Sequence, residues 1–307
     1  MLNGTCDSEK TVRITVFTPT FNRAYILNKL YDSLKQQTFK DFEWLIVDDG
    51  STDNTQALLK KWQCENRGFS LRYYYQENGG KHRAINLGLE HAKGDIFFVV
   101  DSDDYLTFDA LEKIDGWFSE IQNKKGYAGV VANRGFSYSE TNNSLFEDRY
   151  LDKTFLDAET YTENGQRVLS GERAIALYTD LLRKYLYPEF EGEKFLTEAI
   201  VYNRIAHDGF LVRYYNDIIW IFEYLPDGLT SRGTELYLDN PRGDGLWFRE
   251  RAEYLHFSNI DKMHMWYSFY CDLKDRCSIK QIAEYIGASR LAIDIAAIVY
   301  KLRHFQF

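Results

Sequence analysis

The sequence predicts an α/β chain: a mostly parallel, doubly wound sheet followed by a C-terminal helical extension. Three observations carry that expectation. Over roughly the first 135 residues, short β-branched and aromatic runs alternate with amphipathic ones. One of those runs, residues 96–100 (IFFVV), is apolar throughout, as suits a central parallel strand covered on both faces. From Leu246 onward the pattern is helical to the end. Strand–helix alternation of this regularity implies right-handed crossovers and helices on both faces of the sheet.

Residues 12–18 (VRITVFT) read as the first strand and 24–37 as a helix, with Ile26, Leu27, Leu30 and Leu34 on one face. Residues 43–47 (EWLIV) form the second strand, after which Asp53 caps a helix through Leu58, Leu59 and Trp62. A third strand at 71–75 precedes a helix at 81–92, and Gly94 ends that helix before the 96–100 strand. A helix at 108–121 and a fifth strand at 127–132 follow. Residues 134–163, polar and carrying Asn142 and Asn143, read as hairpin and loop. Residues 171–186 are helical in pattern, a further helix starts near Thr197 and continues through 199–206, and 211–221 suggests a late strand pair.

A formal net charge of -9 argues against DNA or RNA as the main partner, since both demand clustered positive charge. It leaves room for a nucleotide whose phosphates a divalent cation neutralises. Aromatic residues at 16% imply a bulky core, or rings lining a sugar or base site. Cys6, Cys64, Cys271 and Cys277 show no CxxC or zinc spacing, which fits a reduced, cytoplasmic chain. The first ten residues carry no apolar signal core, and no run approaches the roughly 18 apolar residues needed to span a bilayer. The expected location is cytoplasmic, with peripheral contact at the inner face of the membrane as the open extension. Near the end, Leu291, Ile295, Ile298 and Leu302 make one apolar stripe, followed by Lys301, Arg303 and His304. That stripe packs on the chain's own core, on a second copy, or on a membrane surface.

Ligands of a doubly wound sheet bind outside the carboxyl ends of its strands. Those ends read Thr18-Pro19-Thr20-Phe21-Asn22-Arg23, Asp48-Asp49-Gly50-Ser51 and Asp101-Ser102-Asp103-Asp104. Crowded carboxylates repel unless a cation or donors compensate them. Asp101 and Asp103 form a DxD whose spacing, with phosphate oxygens, suits a hard divalent cation, Mg²⁺ or Mn²⁺. Alternatively Asp103 or Asp104 caps the next helix. Asp49 offers an acceptor to the ring N–H of a pyrimidine such as uracil, with thymine or guanine as alternatives. Asn78-Gly79-Gly80-Lys81 opens a helix, where backbone N–H groups favour an anion, and Lys81 and Arg83 add charge for a diphosphate.

TVFTPTFNR, QQTFKDFEWLIVDDGSTDNT and NGGKHRAINLGLEHAKGDIFFVVDSDD, in this order, resemble the family 2 glycosyltransferases. The likeness is strong over residues 12 to about 120. It extends more loosely to about Thr230 through EGEKFLTEAIVYNRIAHDG and EYLPDGLT. The resemblance implies a GT-A fold and inverting transfer from a nucleotide sugar, UDP-linked by expectation, to a glycan, lipid-linked or polysaccharide acceptor. It implies that Thr18, Pro19, Thr20 and Phe21 pack around base and ribose, that Asp49 pairs with the base, and that Lys81 lies beside the diphosphate. Asp101 falls near the ribose and the metal waters, and Asp103 is the main metal ligand. Arg23, Asn78 and Ser102 complete the donor-binding candidates. Glu198 is the general base, with Glu193 as its rival, and Asp104 joins Glu198 as a catalytic candidate. Two departures stand out: Thr197-Glu198 replaces an acidic pair, and no histidine follows the last core strand, where Glu223 or Asp227 would substitute. The implied organisation is a catalytic domain at 1–240, divided into a nucleotide-sugar half (12–133) and an acceptor half (134–240), then a helical extension at 241–307.

A nucleotidyltransferase would carry a Gly- and Arg-rich phosphate loop after the first strand, and residues 18–23 contain no glycine. A non-catalytic sugar-nucleotide module would be favoured by loss of the DxD or of the late acidic residues, and both are present. A dehydrogenase or P-loop enzyme is disfavoured, because neither GxGxxG nor a Walker A sequence follows the first strand.

Overall fold

The computed structural model describes residues 12–65, 67–159 and 169–304, leaving aside the side chains of 158–159, 230 and 300–304. The order of elements is β1 (Val12–Thr20), α1 (Asn28–Lys35), β2 (Phe42–Asp48), α2 (Thr55–Gln63), β3 (Ser70–Tyr75), α3 (Lys81–His91), β4 (Gly94–Val99), β5 (Tyr105–Leu106), α4 (Ala110–Ile121) and β6 (Tyr127–Gly135). Then come β7 (Leu151–Lys153), β8 (Arg173–Tyr178), α5 (Thr179–Leu182), α6 (Ala199–His207), β9 (Leu211–Ile221), α7 (Thr234–Leu238), α8 (Pro241–Tyr254), α9 (Asn259–Leu273), α10 (Ile279–Tyr285) and α11 (Arg290–His304).

The strands form one sheet in the order β3-β2-β1-β4-β8-β6-β9-β5, with β7 on β9. β3, β2, β1 and β4 pair in parallel. β8 runs antiparallel to both β4 and β6, and β9 is again parallel to β6. The carboxyl ends of β1, β2, β3, β4, β6 and β9 therefore share one edge. Every residue of β2 is buried, because helices cover both faces. On one face Leu30, Leu34, Trp62, Ile114 and Phe118 pack on Val16, Trp44, Ile96 and Phe98. On the other Ile85, Leu89, Ile200 and Val201 pack on Phe17, Leu45, Val47 and Phe97. A third core joins α8 to α11 through Ala252, Met265, Phe269, Ile282 and Ile293. Helix α8 belongs to both regions, since its Leu246 sits in the second core and its Ala252 in the third.

Four expectations need correction. Residues 171–186 are not a helix: β8 occupies 173–178, and only Thr179–Leu182 turns helically. Ala174 and Ala176, both buried, let β8 fit between β4 and β6, so tertiary packing overrides alanine's helix preference. Residues 211–221 are one strand rather than a pair. The register against β6 slips between Tyr214 and Ile218, and Asn133 Nδ2 donates to the freed Asn216 carbonyl at 2.7 Å. The first helix begins at Asn28 instead of Ala24: residues 24–27 form a turn of their own, in which the Ile26 and Leu27 N–H groups both donate to the Arg23 carbonyl at 3.1 and 3.0 Å. The stretch read as hairpin and loop contains β7, which pairs with β9 rather than within a hairpin, and residues 160–163 lie outside the described residues.

Helix α11 packs inward through Ile293 and Ala296 and turns Leu291, Ile295 and Ile298 outward at 67%, 44% and 58% exposure. The side chains of Leu302, Lys301, Arg303 and His304 lie outside the described residues. Among the described residues no helix is long and apolar enough to cross a membrane.

Candidate functional site

The shared edge of strand ends opens into a cleft of ≈ 830 Å³. After β1 the chain turns at Asn22, which holds φ 55, a left-handed value that asparagine tolerates. Its Oδ1 accepts the Thr52 N–H at 2.8 Å and its own N–H donates to Ser51 Oγ at 2.8 Å, tying the first strand end to the second. Pro19, Thr20, Phe21 and Arg23 line the cleft. Thr18 does not: it is wholly buried, and its Oγ1 accepts the Trp44 indole N–H at 3.0 Å. Thr20 Oγ1 is buried without a hydrogen-bond partner among the described residues.

Asp49, 5% exposed, already has its lone pairs filled. Its Oδ1 accepts from Gln76 Nε2 at 2.6 Å and Gly79 N at 2.8 Å. Its Oδ2 accepts from Gly80 N at 2.8 Å and Asn78 Nδ2 at 3.1 Å. The carboxylate folds the 76–80 turn, and a base N–H reaches it only by displacing one of these donors. Asn78 is committed too, its Oδ1 accepting from Lys194 Nζ at 2.8 Å. Gly80 has φ 100, and a Cβ there would lie 1.8 Å from the Lys194 carbonyl oxygen, so this turn packs directly on the segment leading to Glu198.

At the end of β4, Asp101 and Asp104 face inward. Asp101 Oδ1 pairs with Lys81 Nζ at 2.6 Å and Oδ2 with Arg134 Nη2 at 2.8 Å. Burial works to raise its pKa, but these two cations hold the carboxyl well below the usual range. Burial together with the nearby Asp101 charge pushes Asp104 up to about 7. Asp104, which also lines the cleft, accepts the Trp220 indole N–H at 2.7 Å and lies 3.5 Å from Arg134, helping to fix the arginine. Neither Asp103 nor Asp104 caps α4, whose N-cap is Asp109. Asp103 is the open carboxylate: its nearest cation is Arg23 Nη2 at 3.8 Å, and burial plus the Asp101 charge raise its pKa. Ser102 is buried beside them along the cleft.

Arg134 was not singled out from the sequence. It follows the residues read as the fifth strand, and the rule that selects polar residues at strand ends would have found it had that strand been extended to Gly135. Its guanidinium lies 3.6 Å from the centroid of the Trp220 ring, and it bonds Glu172 at 2.9 Å. Its Nε is buried without a partner among the described residues.

Glu198 holds the N-cap position of α6 without a side-chain cap bond and reaches the same cluster, with Oε1 2.6 Å from Lys81 Nζ and Oε2 accepting from Tyr202 OH at 3.0 Å. With both carboxylates close to it, Lys81 is held firmly protonated against the cost of burial. Glu193, by contrast, is 5% exposed and accepts the Arg242 and Gly243 N–H groups at 2.8 and 2.9 Å. Both of its oxygens thus cap the first turn of α8. A second link to α8 comes from Arg204 on α6, whose Nε and Nη2 both bond Glu250, at distances down to 2.6 Å.

Of the late acidic residues, Asp227 accepts from Arg23 Nη1 and Tyr25 OH, each at 2.8 Å, and Glu223 pairs with Lys29 at 3.1 Å. Both residues line the cleft, and these contacts occupy one oxygen of each carboxylate. Among the described residues no three His, Cys, Asp or Glu side chains converge to hold a metal ion between them. Asp101, with both oxygens paired to cations, does not fit as a ligand here. Asp103 fits a cation held by one carboxylate together with substrate phosphates and water.

The fold and sequence have counterparts. The glycosyltransferase GlyG of Streptococcus pneumoniae serotype 4 is 26% identical over 198 residues, 62% of this chain and 64% of that protein. The chain thus spans just under two thirds of this relative's length. S. aureus TarS 1–349, solved in complex with UDP-GlcNAc, superposes with a TM-score of 0.59 at 19% identity, over 86% of this chain and 73% of that one. The mannosyltransferase PcManGT from Pyrobaculum calidifontis, solved with GDP-Man and Mn²⁺, gives 0.55 at 17% identity, over 94% and 87%. At such identities the likeness speaks for the GT-A fold alone. Residues 15–179, more than half of the chain and the part carrying Asp49, Lys81, Asp101, Asp103 and Arg134, match Glycosyl transferase family 2, and the chain belongs to that family.

Proposed function

We propose that the chain transfers a sugar from a nucleoside-diphosphate sugar, uridine-linked, to a hydroxyl of a glycan, lipid-linked or polysaccharide acceptor, with inversion. The observation that carries this reading is Lys81 Nζ, 2.6 Å from both Asp101 and Glu198, which puts a phosphate-side cation, an acidic strand end and a candidate base in one contact. Glu198 accepts the proton of the acceptor hydroxyl as that oxygen bonds the anomeric carbon and the bond to the diphosphate breaks on the opposite face. Arg23, Lys81 and Arg134 already face Asp101, Asp103, Asp104 and Glu198, so an incoming diphosphate needs further positive charge. Mg²⁺ or Mn²⁺ beside Asp103 would supply it, neutralising the leaving group. Pro19, Thr20 and Phe21 would flank base and ribose. The base would reach Asp49 by replacing Asn78 Nδ2, the longest of its four side-chain contacts at 3.1 Å.

Thermal shift with UDP, TDP and GDP, each with Mg²⁺ and Mn²⁺, tests the reading. A ligand at a hundredfold excess over Kd stabilises by about 2.7 kcal/mol. A shift with UDP or TDP and metal is expected; a preference for GDP overturns the pyrimidine assignment, and no shift with any of them overturns the donor site.

The boundary near 240 and the outward Leu291, Ile295 and Ile298 face belong to the same proposal. That face meets a second copy or a membrane surface. Truncation before Leu291 is expected to change oligomeric state or liposome binding while the catalytic fold persists, and simple unfolding would overturn it.

A further inference from the structure

We infer that Lys81 is a positioning residue that latches Glu198 while the donor site is empty and releases it when a diphosphate draws the ammonium away. The inference rests on the proposed donor site. Lys81 Nζ stands 2.6 Å from Glu198 Oε1 and 2.6 Å from Asp101 Oδ1, so a single ammonium binds both carboxylates. An acceptor hydroxyl must compete with that ammonium for the same oxygen of Glu198. Each carboxylate also has a second, fixed partner. Arg134 holds the other oxygen of Asp101 at 2.8 Å, and Tyr202 OH donates to Oε2 of Glu198 at 3.0 Å. Lys81 can therefore leave without stranding either acid. Arg134 is not the mobile cation, because its guanidinium packs 3.6 Å from the Trp220 ring and is 11% exposed, against 25% for Lys81.

Lys81 is moreover the first residue of an 11-residue helix, where the helix dipole disfavours a cation and favours an anion. A diphosphate lying across that helix start, with the lysine turned toward it, would supply that anion. The exchange couples the two halves of the reaction: the base becomes available where the leaving group is already bound.

The coupling is read in a double-mutant cycle on the full chain, with UDP and GDP in Mg²⁺ as probes and uridine as the control lacking phosphate. In wild type, part of the diphosphate's binding energy is spent breaking the Lys81–Glu198 pair, so Glu198→Gln should tighten UDP binding about three- to tenfold, as expected for directly coupled charges. Lys81→Met should weaken UDP binding. In the Lys81→Met background, Glu198→Gln should change UDP affinity less than about twofold, and uridine affinity should be unchanged in all four proteins. Lys81→Gln takes the place of Lys81→Met if the methionine variant does not fold.

An equal gain from Glu198→Gln with and without Lys81 would show a through-space charge effect and overturn the latch. No gain in the wild-type background would overturn it as well. Both outcomes leave the donor site standing, whereas a wild-type protein that binds neither UDP nor GDP overturns the donor site and the latch together.

Discussion

Replacing Asp49 with asparagine changes one oxygen into an amide nitrogen and separates two roles for this side chain. Its oxygens accept from Gln76 and Gly79 on one side and from Asn78 and Gly80 on the other. Whichever way the new amide turns, its NH₂ faces a backbone N–H, of Gly79 or of Gly80, inside a site that is 5% exposed. A buried donor left unsatisfied costs about 1–3 kcal/mol, and the remaining bonds lose their charge assistance, so the unliganded protein should lose about 2–4 kcal/mol. At this chain length each kcal/mol moves Tm by about 1.5 °C, which gives a drop of about 3–6 °C. Differential scanning calorimetry without nucleotide is the assay. If the variant melts within about 2 °C of wild type while its UDP affinity collapses, Asp49 serves the base alone and the turn-clamp reasoning is wrong.

Glu198→Gln should reduce turnover about a hundredfold to ten-thousandfold while donor binding persists, and turnover near the wild-type rate would refute its role as base. Glu193→Gln should lower stability by about 1–3 kcal/mol through the α8 cap, with turnover of the folded enzyme retained; a dead but equally stable variant would contradict the capping geometry. Asp103→Asn should leave the fold intact and abolish the metal dependence of UDP binding, and titration with and without EDTA reports it. Burial and the Asp272 and Glu193 charges push Asp244 on α8 up to about 7 from 3.8, so the folded protein holds that proton more tightly than the unfolded chain. Its contribution is fully present below about pH 4 and fades as pH rises to about 7, so Asp244→Asn should be more stable than wild type by about 1–3 kcal/mol at pH 8 and about equal at pH 4. Equal stability at both pH values would refute the assignment.

The strand ends were legible because each follows a local rule: an apolar run stops, and a polar cluster begins. That rule located Asp49 and the Asp101–Asp104 run, the anion-binding character of a helix start located Lys81, and the structure brings Lys81 and Asp101 into contact. It failed where the signal is not local. Arg134 owes its position to Trp220, 86 residues away in sequence, and their partnership leaves no spacing to read. The strand β8 hid behind two alanines whose small size matters only between β4 and β6. Thr18 looked like a site residue from its place beside Pro19, yet the Trp44 indole claims it for the core. Glu193 and Glu198 are indistinguishable as acidic residues ahead of a helix; only the position of α8 shows that one is a cap.

That same helix sets a mechanical condition on catalysis. The segment from 193 to 204 is pinned to α8 twice, through the Glu193 contacts to Arg242 N and Gly243 N and through the Arg204–Glu250 fork. Glu198 lies midway between the two pins, like the centre of a beam supported at its ends. Where the beam rests decides how far Glu198 stands from Lys81 on α3, an element of the first half of the chain. The C-terminal helices thus act as a splint on the segment bearing the candidate base. A tilt of α8 would be transmitted to the carboxylate through both pins.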